Sequence, residues 1–244
     1  MIVGEEEILI KDLYYVLMKA HFGNVKTCKT MIKHGHVNVN KELITDVYFQ
    51  VDKDDDIRID KQKVEWPFVY YMLNKPKNYL SATYDKNEHY VLELINNKDC
   101  FCLGRLDKDT TGLLILTNDV SCQALLLPQN HINKKYLVKV DRSLNDELIK
   151  EFEQGIIIDF HYKCHSAKLE IIDDRSCFVT IDEGKYHQIK KMFLSCGYYV
   201  VDLKRVGFGD IVLDSSLKEG EVKELNDKEF QFLKKHLNDI KRGI

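Results

Sequence analysis

The loop Gly104-Arg105-Leu106-Asp107-Lys108-Asp109-Thr110-Thr111-Gly112 carries the residues best placed for chemistry, because its two aspartates stand between apolar runs. Asp107 follows Phe101-Cys102-Leu103 and precedes Leu113-Leu114-Ile115-Leu116, a run apolar on both faces that predicts a strand buried within a sheet. A carboxylate mounted there is ionised at neutral pH without activation, its ordinary pKa being about 3.9, and can act as nucleophile or proton acceptor. Gly104 and Gly112 relieve backbone strain at the ends of the loop, and Thr110 and Thr111 are expected to hydrogen-bond local amides. Asp109 is assigned to loop structure. A glycosidase-like acid/base pair of Asp107 with Asp109 is the competing chemistry, although two carboxyls in one loop leave their separation poorly controlled.

A second constellation is Glu183-Gly184-Lys185-Tyr186-His187-Gln188-Ile189-Lys190-Lys191-Met192-Phe193. Ile189, Met192, Phe193 and Cys196 follow helical spacing and predict a core-facing stripe closed by Gly197, while His187, Lys190 and Lys191 share another face. A cation from that face beside Asp107 would favour the ionised carboxylate, whereas burial under a ligand would oppose it. Tyr136, within Asn133-Lys134-Lys135-Tyr136-Leu137-Val138, could stack on a nucleobase, an interaction of roughly 1–3 kcal/mol, comparable with the few kcal/mol that unstacking a nucleotide costs. Arg105 could fill the vacated stack or hold a phosphate. Lys75, in Tyr71-Met72-Leu73-Asn74-Lys75-Pro76, is expected to be structural and near the same cleft, and Pro76 should end its strand for want of an amide donor.

The elements that must position these residues fall into two groups. Apolar periodicity predicts helices over residues 10–20 and 25–34, a turn at Gly35, alternation at 36–39, a turn at Asn40-Lys41, and alternation again at 57–60 after the acidic run 52–56. A polar connector at 61–65 and Trp66-Pro67 then lead into a new strand at 68–73, so a domain boundary is expected near residue 64, giving domains 1–63 and 64–244. In the second domain, strand-like runs at 101–103, 113–117, 136–140, 167–172, 177–181 and 200–203 alternate with helical patterns at 89–95, 120–127, 144–154, 187–196 and 227–240. That mixture indicates an α+β sheet domain.

Charge is distributed unevenly. The net charge of −3 excludes a uniformly basic nucleic-acid binder, but Lys26, Lys29, Lys33, Lys41, His34 and His36 fall in a stretch with no acidic residue. A second basic region holds Lys185, His187, Lys190, Lys191, Lys204 and Arg205, opposed only by Asp202. Lys26, Lys29 and Lys33 are expected to meet RNA phosphates. The seven cysteines are odd in number and contain no Cys-x-x-Cys pair, which suits reduced thiols rather than a zinc or redox motif. The start of the chain is acidic where a secretory signal would be positive, and no apolar run approaches a membrane span. A cytoplasmic protein that does not engage membranes is expected.

The motifs Gly104-Arg105-Leu106-Asp107, Leu73-Asn74-Lys75-Pro76, Lys134-Lys135-Tyr136-Leu137-Val138 and Gly184-Lys185-Tyr186-His187-Gln188-Ile189-Lys190-Lys191-Met192 resemble, in order, those of the RsuA and RluB/E/F family of ribosomal RNA pseudouridine synthases. The leading segment resembles an S4-type RNA-binding domain, with Ile10-Lys11-Asp12-Leu13 where such domains commonly begin Arg-Leu-Asp. The resemblance implies a pseudouridine synthase domain with a mixed, mostly antiparallel sheet flanked by helices and loops. In such enzymes the aspartate starts cleavage of the uridine C1′–N1 bond, by attacking the ribose or by assisting a glycal route, and the base rotates to rejoin through C5. It further implies Asp107, Tyr136 and Lys190 as catalytic residues; Arg105, Lys75, His187, Lys191, Lys26, Lys29 and Lys33 as RNA contacts; no cofactor or metal in the reaction; and a monomer acting on ribosomal RNA or a small-subunit assembly particle. Lysine at position 190 is similar to the RsuA branch, which modifies one uridine of 16S ribosomal RNA, whereas arginine is common in the wider superfamily. The large-subunit RluB/E/F branch is the runner-up, and a catalytically silent RNA-binding assembly factor is the alternative of another class.

Overall fold

The computed structural model describes residues 11–242; Ile10, where the first predicted helix begins, and the acidic start at residues 1–7 lie outside the described residues. The chain divides into two compact units, residues 11–69 with 234–242, and Tyr70–Leu233. None of the helices among the described residues is long and apolar enough to cross a membrane.

In the first unit α1 (Leu13–Lys19) and α2 (Val25–Lys33) pack beside a four-stranded antiparallel sheet ordered Glu42–Ile44, Val37–Val39, Ile57–Ile59, Gln62–Lys63. Asn24 starts α2 by accepting the Thr27 amide at 3.0 Å, which satisfies one of the donors a helix N-terminus leaves over. Leu13, Val16, Leu17, Cys28 and Ile32 are fully buried, the core the helical periodicity required. The turn at Asn40-Lys41 has positive φ at both residues, the geometry that lets a two-residue hairpin follow strand twist.

The second unit is built on a nine-stranded sheet whose main path runs Lys168–Ile171, Ser176–Ile181, Lys134–Val140, Val200–Phe208, Thr111–Thr117, Tyr70–Lys75, Val222–Glu224. Thr111–Thr117 is buried at every residue, as its unbroken apolar run demands. One edge pairs antiparallel with Tyr70–Lys75; the other takes Val200–Phe208 in parallel at Thr111 and Gly112, then Phe101–Leu103 from Ile115 onward. The other strand pairings of this sheet are antiparallel. Gly112 has φ +101, and a Cβ there would sit 2.2 Å from the Arg205 carbonyl oxygen, so the parallel join requires glycine. Helix α3 (Glu147–Gln154) and α4 (Gln188–Ser195) meet through Phe152 and Phe193, ring centroids 5.0 Å apart. The last helix, α5, spans Asp227–Arg242.

The predicted helices at 89–95 and 120–127 are instead 3-10 turns, Val91–Leu94 and Val120–Leu126. Segments this short do not recover the cost of nucleating an α-helix unless tertiary packing holds them in that form. Strand pairing also extends the predicted 200–203 run to Val200–Phe208 and adds Val222–Glu224, whose sequence shows no apolar alternation.

Candidate active site

Asp107 lies on the connection between Phe101–Leu103 and Thr111–Thr117, and that connection is fastened from below. Lys75, wholly buried at the end of its strand, donates to the carbonyls of Thr110 (2.9 Å), Pro76 (3.0 Å) and Lys108 (3.3 Å). Ser81 donates to the Leu106 carbonyl at 2.9 Å and accepts the Leu106 amide at 3.0 Å, while the Asn78 amide reaches Lys108 O at 2.8 Å. The Thr110 amide closes the turn onto Asp107 O at 3.1 Å. Two expectations change here. Lys75 cannot reach a phosphate, because it has no exposed surface and its donors are taken up by the loop; Thr110 is buried with no hydrogen-bond partner for its hydroxyl among the described residues, so it does not bond a local amide.

Helix α4 supplies the opposing charge. Gln188 is buried at its first turn, donating to Glu183 Oε1 at 2.6 Å and accepting the Lys185 amide at 2.9 Å, which ties the turn before the helix to the strand end. Ile189, Met192 and Phe193 are buried as their spacing predicts, leaving Lys190 on the side of the Asp107 loop. Its ammonium lies 3.0 Å from Asp107 Oδ2 and 2.6 Å from Asp109 Oδ1. His187 stands just ahead of the helix in the left-handed region, its ring stacked on Tyr186 at 3.8 Å and its Nε2 3.6 Å from Asp107 Oδ1. Burial works against the charge on Lys190, but the hydrogen bonds and charges of Asp109 and Asp107 outweigh it and raise its pKa. Burial likewise pushes the Asp109 carboxyl up, and Lys190 more than reverses that shift, holding it below the ordinary carboxylate range. Asp109 thus shares the ammonium with Asp107, a partnership that loop sequence alone did not reveal. That shift of the Asp109 carboxyl runs opposite to the raised pKa that the general acid of a glycosidase pair requires.

Asp107 opens onto a cleft of about 90 Å³ whose lining includes Tyr136, Arg105, Thr110, Ile181, His187, Gln188 and Leu203. Tyr136 is buried in the sheet, paired with Val179 and Arg205 on neighbouring strands, and Arg105 is exposed at the cleft. Of the sequence-derived site residues, Asp107, Tyr136, Lys190, Arg105 and His187 come together here. Lys191 does not join them; its ammonium pairs with Asp159 at 2.6 Å. Arg205 leaves the expected basic surface altogether: it is buried, with Nε on the Leu113 carbonyl at 2.8 Å, since its strand position points inward. Ser81 and Leu203 were missed because neither belongs to a motif whose chemistry is legible in isolation.

In the first unit, Lys26 and Lys33 are exposed along one face of α2. Lys29, on the same face, donates to the Tyr48 hydroxyl at 3.1 Å and lies over the Tyr14 and Tyr48 rings at 4.3 and 4.5 Å, so its charge is already partnered.

A sequence profile described as RNA pseudouridylate synthase matches residues 69–195, and one for the S4 domain matches residues 14–57. The protein is therefore an RNA-modifying isomerase with an S4 module. A protein of Bacillus subtilis named as the uncharacterised RNA pseudouridine synthase YtzG is 37% identical over 89% of this chain and 96% of its own length. Ribosomal small subunit pseudouridine synthase A of Haemophilus influenzae is 34% identical over 84% of this chain and 91% of its own. A crystal structure titled as a pseudouridylate synthase superposes with a TM-score of 0.65 at 30% identity, covering 91% of this chain and 99% of that one. The chain belongs to the RNA pseudouridylate synthase family.

Proposed function

We propose that the protein converts one uridine of small-subunit 16S ribosomal RNA to pseudouridine, in the cytoplasm, with Asp107 as the reacting carboxylate. The observation that carries this reading is the Asp107–Lys190 ion pair opening on a cleft walled by Tyr136. The choice of ribosomal subunit draws on likeness to the small-subunit synthase of Haemophilus influenzae. The uridine is flipped from its helix, its base lies against Tyr136, and Arg105 fills the gap or holds a phosphate. Asp107 attacks C1′, or assists elimination to a glycal, as the C1′–N1 bond breaks. The uracil turns, and C5 bonds to C1′ as the Asp107–C1′ ester bond breaks or, on the glycal route, as the C2′ proton is returned; the C5 proton is lost while N1 gains one, so every heavy atom stays on the RNA and Asp107 is regenerated. Lys190 sets an ammonium 3.0 Å from the carboxylate as its electrostatic partner, and His187 contributes a polar contact beside it. The S4 domain, taken from the sequence as residues 1–63, holds the RNA through Lys26 and Lys33.

Asp107→Asn should abolish pseudouridine formation while RNA binding persists; an unchanged product yield would remove Asp107 from the chemistry. Mapping pseudouridines in ribosomal RNA from cells lacking the protein should show one missing 16S site. A missing 23S site would instead assign the enzyme to the large-subunit branch.

A further inference from the structure

Next to Ile181, a residue of the Asp107 cleft, three segments of the second unit bring two imidazoles onto one carboxylate. His131 Nδ1 lies 3.1 Å from Asp182 Oδ2, and His165 Nδ1 lies 2.9 Å from Asp182 Oδ1. One ligand atom from each of the three residues can be chosen so that all lie within 4.8 Å of one another, and the imidazole centroids are 5.8 Å apart. Both histidine side chains are about half exposed, at 56% and 48%, so a hydrated ion can reach them.

The surrounding backbone holds these side chains in place. His131 occupies the left-handed region after a 3-10 turn, a conformation that a residue with a Cβ adopts at some cost. The His165 amide donates to Glu183 Oε1 at 3.0 Å, and Glu183 is itself held by the Tyr162 hydroxyl and Gln188. Asp182 directly follows the strand Ser176–Ile181, and Lys134 approaches its carbonyl at 3.4 Å.

We propose that His131, His165 and Asp182 bind a divalent first-row cation of the zinc type, with water completing its shell. Two imidazole nitrogens and one carboxylate oxygen suit such borderline ions, which bond to these donors at about 2.0–2.2 Å. Tetrahedral bonds of that length set neighbouring donors about 3.3 Å apart, so the two nitrogen–oxygen spacings need only small adjustments. Magnesium and calcium are disfavoured, since they call for oxygen-rich shells and the cluster offers one carboxylate. Binding would also stiffen the turn leading to α4, because Asp182 adjoins Glu183, which Gln188 grips.

The test uses full-length, metal-stripped protein titrated with Co2+, whose visible d–d absorption reports coordination number. Saturation at one equivalent with four- or five-coordinate absorption, displacement by Zn2+ and indifference to Mg2+ are expected. Because the chain has nine histidines, assignment rests on variants. His131→Gln and His165→Gln alter exposed side chains, and circular dichroism checks that both remain folded. Each should weaken Co2+ binding at least tenfold, roughly what even an outer-shell partner contributes, and the double variant should abolish the absorption. Unchanged affinity in the double variant, no saturation at one equivalent, or equal displacement by Mg2+ would overturn the assignment.

Discussion

Replacing Lys75 with methionine separates its structural role from an RNA contact. The variant keeps most of the side-chain volume but removes the donor to Thr110 O, Pro76 O and Lys108 O, of which Lys108 O retains the Asn78 amide. Leaving such acceptors unsatisfied in a buried loop costs about 2–5 kcal/mol in total. Methionine also relieves a burden, because burial lowers the Lys75 pKa from 10.5 to about 8, with the charges of Asp109 and Asp107 only partly opposing that shift. With the folded-state pKa below the unfolded one, the unfolded chain binds the extra proton between those values, and native stability rises with pH across that window. The penalty for a buried ammonium is thus about 3 kcal/mol at about pH 7 and falls below about 1 kcal/mol at about pH 10. Lys75→Met should therefore change stability by about −1 to 2 kcal/mol of cost near neutrality, and that cost should rise by about 2.5 kcal/mol at about pH 10. Urea unfolding of both proteins at the two pH values measures this. With the loop slackened beneath Asp107, kcat should fall by about a hundredfold while RNA affinity holds. A cost that stays constant or falls with pH, or a weaker Kd with a shallower salt dependence, would refute the loop-anchoring role.

Lys190→Met should lower kcat by about 10²–10³-fold, the scale of losing one positioned electrostatic partner, with Lys190→Arg recovering part of the loss; wild-type single-turnover rates in Lys190→Met would sink that role. Gly112→Ala forces a Cβ into the Arg205 backbone at positive φ and should destabilise the fold by about 3 kcal/mol or more, measured by thermal or urea denaturation; a change near zero would mean that the parallel join yields easily. Substituting Lys26 and Lys33 together with alanine should reduce the salt-dependence slope of RNA binding by roughly 1.4–1.8, whereas Lys29→Ala should change it less, its charge being held by tyrosines; a larger effect from Lys29 would reverse that ranking.

Local chemistry made much of the protein legible before its fold was known. The buried strand Thr111–Thr117 was visible over residues 113–117 as an apolar run, α4 as an apolar stripe, and Asn40-Lys41 as a turn after an alternating segment, though not its partner strand Glu42–Ile44. Each follows from periodicities of a few residues, within which neighbours along the chain are neighbours in space. Motif order likewise pointed to a site comprising Asp107, Tyr136 and Lys190. Tertiary structure alone decided that Asp109 shares the ammonium of Lys190, 81 residues away, and that Ser81 clasps Leu106 from 25 residues away. It also turned Arg205 inward and gathered His131, His165 and Asp182. These outcomes depend on strand register and on where loops return to the sheet, and a shift of one residue would send every side chain of a strand to the opposite face. Composition and local pattern therefore specified which groups were available, while the pairing of distant strands determined which charges met and which were buried.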